Sequence, residues 1–296
     1  MSKRRLFYGR RKVIFAGGIY HVTQRATGAE PLFLEQADYL YMLHLLKETV
    51  KKYNLDLFAF TLMSNHLHLL LRINGENLKE AMHNLFTRYG IYFNSKYERK
   101  GHVFCDNYRA AVCLSDSYLL TTSLYIHANP YRAKLTKKAF DYRWSSLSLF
   151  TGHSDKIAFV NHKFILKMLD KNLSRAADIY KKMILEFLQL EITGAADDFS
   201  PIKRLTLNMA AVFHRSFANK NFRQEAEFGE IIKNLTGKKR IYTPTHKNAR
   251  FFVVKQLLAR GYSVKETADL LKVNRLTIYR LINEAKVKNQ QIYKTM

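Results

Sequence analysis

Hydrophobic and polar positions in the first half of the chain follow two different periods. Apolar runs typical of strands occupy about 17–26, 56–63, 65–73 and 103–113. Stretches with helical spacing separate them, around 36–54 with Leu40, Leu43, Leu46 and Val50, and around 77–98 with Leu78, Met82, Leu85 and Tyr89. A third helix is predicted at 115–133. The order βαββαβ followed by a helix predicts an α+β fold with a ferredoxin-like antiparallel sheet.

Beyond residue 150 the pattern changes to helices alone. Helical spacing is found at 164–191 and from about 202 to 235, with a linker predicted at 193–201. We therefore predict three domains: an α+β domain at 1–150, a helical connecting region at 151–240 and an all-α carboxyl-terminal domain at 241–296. The pattern does not indicate what the connecting region does.

Two histidines lie inside the third predicted strand, in the run Ser64-Asn65-His66-Leu67-His68. Side chains at positions i and i+2 of a strand point to the same face, with Cα atoms roughly 6.5 Å apart. Two imidazoles at this spacing can hold one divalent cation. Taken alone, such a pair is more often two polar residues on the solvent face of a strand.

The predicted helix at 115–133 contains a tyrosine and an asparagine one turn apart, Tyr125 and Asn129. We expect a Ser or Asp N-cap to open the helix and Pro130 to stop it. Residues four apart share a helix face, which would place a phenol beside a possible metal ligand. Individually, a helical tyrosine is usually a core residue, and an asparagine before proline is usually a C-cap.

Together, His-Leu-His and the segment Tyr125-Ile-His-Ala-Asn-Pro-Tyr-Arg-Ala133 resemble the single-tyrosine HUH transposases, and most closely their REP-associated tyrosine transposase branch. The resemblance implies an HUH nuclease domain in which His66, His68 and Asn129 bind a divalent metal, Mg²⁺ or Mn²⁺, and Tyr125 attacks single-stranded DNA. It spans about residues 8–150 and includes further matches at 20–25, 101–104 and 141–146. Ala26 and Asn107 depart from the family pattern.

The function implied by this resemblance is a metal-dependent single-stranded DNA endonuclease and strand transferase that forms a 5′-phosphotyrosine intermediate. The expected partner is single-stranded DNA with a hairpin element, bound by a monomer or a homodimer. One alternative is a domesticated, non-catalytic DNA-binding regulator, against which the intact set of Tyr125, His66 and His68 argues. Another is a metallohydrolase, which would need further His or Asp ligands on later strands.

Charge favours a nucleic-acid partner. Lysine and arginine number 49 against 24 acidic residues, which gives a formal net charge of +25 and a field that attracts polyanions. The two cysteines, Cys105 and Cys113, lack metal-type spacing and are expected to be free thiols in a reducing cytoplasm. No export signal or membrane-spanning run is recognised, so we expect a cytoplasmic protein without a membrane partner.

The last segment, Ser263 to Ile282, resembles a helix-turn-helix of the resolvase and invertase type. Ser263 and Glu266 form a predicted capping box, and Lys272 stands in the turn where glycine is commonest. A plain three-helix packing module remains the alternative. The resemblance places five residues at or near a DNA-facing surface, namely Asn274, Arg275, Thr277, Tyr279 and Arg280.

Overall fold

The structure of the 296-residue chain is a computed structural model. The structure describes residues 14, 16–28, 30–113, 116–152, 159–190 and 263–281, together with the single positions 202, 254 and 257. These residues divide into two compact units: those within Phe15–Ala226, and those within Met1–Ile14 and Glu227–Met296. The domain boundaries at 150 and 240 stay predictions, and the linker expected at 193–201 lies outside the described residues.

The first unit is built on one four-stranded sheet. Its strands are β1 Ile19–Arg25, β2 Leu55–Leu62, β3 His66–Ile73 and β4 Arg109–Cys113. They lie in the order β2-β3-β1-β4, and every neighbouring pair is antiparallel. This order confirms the predicted ferredoxin-like α+β arrangement.

Six helices accompany the sheet in the described part of this unit. They are α1 Gln36–Lys52, α2 Leu78–Lys96, α3 Asp116–Arg132, the short α4 Leu147–Phe150, α5 His162–Leu169 and α6 Leu173–Leu188. Helix α1 packs on β2 and on α2, whereas α3 contacts three of the strands and also α6. Among the described residues, no helix combines the length and apolarity needed to cross a bilayer.

Alternation along β3 separates the two faces of the sheet. His66 and His68 point to one face, while Leu67, Leu69 and Leu71 point to the other and are fully buried. Both histidines are buried as well, so the sheet is covered on both sides. Helix α3 covers the histidine face, as the contact of its Thr122 hydroxyl with the Cys113 thiol of β4 shows.

The predicted stripe of α2 is confirmed, because its four members Leu78, Met82, Leu85 and Tyr89 are all fully buried. The predicted stripe of α1 is wrong in part: Leu46 is fully buried, but Leu40 is 49% exposed. The carboxylate of Asp38 accepts hydrogen bonds from the backbone N–H groups of Leu34 and Glu35 and from Lys96. These bonds turn Asp38 inward, and the buried face follows it through Met42, Leu45, Leu46 and Thr49.

Two predicted boundaries are also wrong. The fourth strand begins at Arg109 rather than near 103, because Asp106 has a positive φ of 53° that breaks the extended backbone. Helix α3 does not stop before Pro130 but continues to Arg132. Its last turn is closed by hydrogen bonds from Ala133 to the carbonyl of Asn129 and from Leu135 to that of Pro130. The expected N-cap at Ser115 lies outside the described residues.

The second unit contains one complete helix in its described part, α7 Val264–Leu271. The capping box is confirmed: the Ser263 hydroxyl accepts from the N–H of Glu266 at 3.1 Å, and the Glu266 carboxylate accepts from that of Ser263 at 2.6 Å. Lys272 adopts the left-handed conformation with φ 50°, so the turn forms without glycine. Helical residues 275–281 follow, and Ala268, Leu271 and Ile278 are buried.

Candidate active site

The two histidines of β3 lie side by side under α3. His66 is the first residue of the strand, after a tight turn in which the N–H of Met63 donates to the His66 carbonyl at 2.8 Å. His68 is paired with Thr23 of β1 on one side and with Thr61 of β2 on the other. The ring centroids of His66 and His68 are 5.0 Å apart with the planes nearly perpendicular. Both histidines therefore lie on a strand that has neighbours on both sides.

Helix α3 brings its tyrosine and asparagine onto this pair. The Asn129 Nδ2 atom lies 3.1 Å from His68 Nε2. The Tyr125 ring lies 5.8 Å from the His68 ring, centroid to centroid, at 89°. The structure thus brings together the four residues His66, His68, Tyr125 and Asn129 that the sequence singled out as a site. Their chemical roles remain proposals.

A third histidine, His21 of β1, belongs to the same cluster, and the sequence analysis did not include it among the site residues. Its Nε2 lies 3.0 Å from His68 Nδ1, and the two rings stack with centroids 5.1 Å apart. It also lies 6.1 Å from the Tyr125 ring. Thr23 is paired with His68, and His21 lies two residues before Thr23, so His21 lies on the same face of the sheet as His68. The sequence could have indicated this only if the pairing of β1 with β3 were known.

The hydrogen-bond network assigns the tautomers of the two β3 histidines. The Asn65 side-chain oxygen lies 2.8 Å from His66 Nδ1 and must accept a proton from it, which leaves Nε2 of His66 with its lone pair. The Asn129 amide donates to Nε2 of His68, so Nδ1 of His68 carries the proton and donates to His21. In both rings the Nε2 atom is the electron-pair donor.

Burial keeps His21 and His68 neutral. It lowers the pKa of His21 to about 3, because a charged imidazole would lose its hydration there. The pKa of His68 is held well below its ordinary value, first by burial and then by the neighbouring His21 and His66. Neutral imidazoles are the form that binds metals.

The donor set fits a divalent cation. The amide of Asn129 contacts Nε2 of His68, and the His66 ring lies 5.0 Å from the His68 ring, centroid to centroid. The oxygen of Asn129 would face an ion beside His68 after a rotation of the amide group. Within the described ranges, no group of three or more His, Cys, Asp or Glu side chains is arranged to hold a metal. The third protein ligand would therefore be an amide, and the set would carry no charge of its own, which suits an ion that also binds an anionic substrate.

Two arginines add positive charge at the rim of this face. Arg25 is paired with His66 across the β1–β3 ladder, and Arg109 is paired with Thr23 across the β1–β4 ladder. Both are exposed. Because residues paired across an antiparallel ladder lie on the same face of the sheet, both arginines lie on the histidine face.

The carboxyl-terminal candidates occupy the helical residues after the turn. Asn274, Arg275, Tyr279 and Arg280 are exposed, and Thr277 is half-buried. The side-chain oxygen of Asn274 accepts a hydrogen bond from the N–H of Leu276 at 3.0 Å, as an N-cap does. Asn274 therefore has a structural role whether or not it also meets DNA. The roles of these five residues in DNA binding stay predictions, and Ile282 lies outside the described residues.

Comparison with known proteins finds a family that is similar to part of the first unit. Residues 16–129 match the family described as "Transposase IS200 like". This segment is therefore similar to the IS200-like transposases, and it contains the whole histidine, tyrosine and asparagine cluster. The prediction of a transposase of the single-tyrosine type is confirmed at this level.

A solved structure is also similar, that of a REP-associated tyrosine transposase bound to a REP hairpin. The sequence identity is 12%, the TM-score is 0.43, and the match covers 48% of this chain and 84% of the other. A comparison with curated proteins gave no significant match.

Proposed function

We propose that this protein is a metal-dependent single-stranded DNA endonuclease and strand transferase that works through a 5′-phosphotyrosine link to Tyr125. The observation that carries the proposal is the 3.1 Å contact between Asn129 and His68, which joins the helix of the tyrosine to the strand of the paired histidines. The match of residues 16–129 to a transposase family supports the same substrate class.

Tyr125 is the nucleophile in this proposal. Its phenol oxygen attacks the phosphorus of a phosphodiester, the P–O bond to the 3′ oxygen breaks, and that oxygen leaves as a 3′-hydroxyl carrying the proton that the phenol gave up. The downstream strand then remains on Tyr125 through its 5′-phosphate. Because the new link conserves the phosphodiester energy, a second 3′-hydroxyl can attack it and rejoin the strand without ATP.

His66, His68 and Asn129 would hold a divalent ion, Mg²⁺ or Mn²⁺, beside the phenol. Such an ion, when bound, polarises the phosphate and stabilises the charge that develops during attack. The protein's own contribution is orientation: Asn65 and His21 fix the two imidazole rings, and the backbone of α3 sets Asn129 one turn from Tyr125. Arg25 and Arg109 provide cations for the phosphates of the approaching strand.

The proposed substrate is single-stranded DNA that carries a hairpin element, handled in the cytoplasm by a monomer or a homodimer. The strongly basic composition supports a polyanionic partner. We further propose that the carboxyl-terminal unit is a helix-turn-helix that binds DNA next to the cleavage site. The exposed Arg275 and Arg280 would contribute phosphate or base contacts there.

A labelled-strand cleavage assay tests the proposal. A pool of hairpin-bearing single-stranded oligonucleotides with randomised flanks is labelled at either the 5′ or the 3′ end and incubated with protein and Mn²⁺. We expect only the 3′ label to become covalently attached to protein, and the 5′-labelled fragment to be released with a free 3′-hydroxyl. Excess chelator and the variants His66→Ala and His68→Ala should abolish both products. Cleavage that leaves both labels free would indicate plain hydrolysis and refute the tyrosine mechanism.

A further inference from the structure

A second buried polar network lies behind α3 and takes no part in the proposed chemistry. His127, two residues after Tyr125, has both ring nitrogens engaged. Its Nδ1 lies 2.8 Å from the Tyr180 hydroxyl of α6, and its Nε2 lies 2.8 Å from the Ser146 hydroxyl. All three side chains are buried. Because the helix turns by about 100° per residue, His127 points away from the face that carries Tyr125.

Each hydroxyl and ring nitrogen of this network can donate to the next one in a single continuous direction. The backbone N–H of Phe60 in β2 donates to Ser146 at 2.9 Å, and Ser146 can then donate to His127 Nε2. His127 Nδ1–H donates to Tyr180, which donates to Ser123 of α3 at 3.0 Å. The network therefore ties α3 to α6 and to the sheet.

The network is not an active site of its own, although a serine beside a histidine is a common nucleophile and base pair. Ser146, His127 and Tyr180 are between 0% and 1% exposed, so no DNA strand can reach them. Burial lowers the pKa of His127 to about 3, which keeps the ring neutral. The role that remains for the network is mechanical.

A second tether joins the same two helices one turn further on. Arg132, at the end of α3, donates from Nη2 to the carbonyls of Phe187 and Leu190 at 2.6 and 2.9 Å. Its guanidinium also lies 5.3 Å from the centre of the Phe187 ring. Phe187 lies in the last turn of α6 and Leu190 lies just beyond its end, where a cation is favoured.

Helix α3 needs such support at one particular place. Pro130 lies inside the helix and has no N–H to donate to the carbonyl of Ile126. The missing bond falls between Tyr125 and the end of the helix, in the turn that also carries Asn129. The two tethers to α6, at His127 and Arg132, lie on either side of Pro130.

We propose that α6 is part of the catalytic unit, with His127 and Tyr180 as positioning residues that hold α3, and with it Tyr125 and Asn129, against the histidines of β3. This role rests on the proposed function. It gives residues 173–188, which lie outside the segment matched by the transposase family, a part in the reaction. The partner of α3 is then supplied by the region that the sequence pattern left without a role.

A single-atom change tests the proposal. Tyr180→Phe removes the hydroxyl between His127 and Ser123 and leaves the ring in place. Tyr89→Phe is the matched control, because Tyr89 is an equally buried tyrosine of α2 whose hydroxyl donates to the Leu32 carbonyl, away from α3. Both variants and the wild type are compared as full-length proteins in single-turnover adduct formation at saturating DNA and Mn²⁺.

We expect Tyr180→Phe to slow adduct formation about tenfold at saturating Mn²⁺ while the dissociation constant for DNA changes less than twofold, because a small misplacement of the nucleophile affects the rate more than DNA binding. Tyr89→Phe should keep the wild-type rate. His127→Gln, whose amide can replace a ring nitrogen as donor, should retain more activity than His127→Phe. Amide hydrogen exchange of residues 126–132 should be faster in Tyr180→Phe than in Tyr89→Phe.

Equal rates and equal exchange in the two Tyr→Phe variants would overturn the positioning role. If Tyr180→Phe fails to fold, the comparison of His127→Gln with His127→Phe decides the question in the same assays. A wild-type protein that forms no adduct at all would instead refute the proposed function. The two failures are therefore distinguishable.

Discussion

The most specific prediction of this site concerns His21, which touches neither of the proposed metal-binding nitrogens. His21→Phe keeps a ring of similar size on β1 but removes the nitrogen that lies 3.0 Å from His68 Nδ1. The N–H of His68 would then be buried without an acceptor, at a cost of roughly 1–3 kcal/mol. The ring of His68 could relieve this cost by turning over, which would move its Nε2 lone pair away from Asn129.

Loss of an orienting partner behind a metal-binding histidine typically weakens metal binding by roughly 10-fold to 100-fold, which corresponds to about 1.4–2.8 kcal/mol. We therefore expect the dissociation constant for Mn²⁺, measured by isothermal titration calorimetry on metal-free protein, to rise by this factor in His21→Phe. His21→Gln should lose less, since its side-chain oxygen can accept from His68. An unchanged dissociation constant in a folded His21→Phe protein would show that His21 does not orient the ligand.

Three further predictions follow from the same contacts. Asn129→Ala should weaken Mn²⁺ binding less than His68→Ala does, because one amide contributes less than an imidazole to a site of this composition. A larger loss in the Asn129 variant, measured by the same calorimetry, would argue against His68 as a metal ligand. Burial lowers the pKa of His127 to about 3 in the folded protein, whereas the unfolded chain binds this proton near pH 6.5. The free energy of unfolding should therefore fall as the pH drops from about 6.5 towards 3, by up to about 1.4 kcal/mol per pH unit for this residue. In urea unfolding the slope with pH should be smaller in His127→Gln, and an equal slope would contradict a neutral buried His127. Arg275→Ala and Arg280→Ala should each lower DNA affinity and reduce the slope of log K against log salt by roughly 0.7 on single strands or 0.9 on duplex. The rate of adduct formation at saturating DNA should not change. Unchanged salt slopes would show that this surface does not bind DNA.

The spacing of residues within single strands and helices predicts much of the site. The two-residue period of β3 put His66 and His68 on one face, and the four-residue spacing in α3 put Tyr125 and Asn129 on one side of a helix. That strand and helix should meet was an expectation from the resemblance to a family. The structure supplies the contact itself, between Asn129 and His68.

The parts that local spacing could not give depend on contacts between distant segments. His21 joins the site only through the register of β1 against β3, and α6 reaches α3 only through Tyr180 and the carbonyls that Arg132 binds. The inward turn of Asp38, which moved the buried face of α1, likewise depends on Lys96 of another helix. Proline at position 130 looked like a helix stop because its compensating contacts are tertiary.

The central claim is that the oxygen of Tyr125 becomes linked to DNA, and peptide mapping of the covalent adduct tests it most directly. After nuclease and protease digestion, we expect mass spectrometry to find the residual nucleotide on the peptide that contains Tyr125. We also expect no adduct in Tyr125→Phe, which should still bind the same oligonucleotide. An adduct that persists in this variant, or that maps to Tyr131 or Tyr142, would contradict the account.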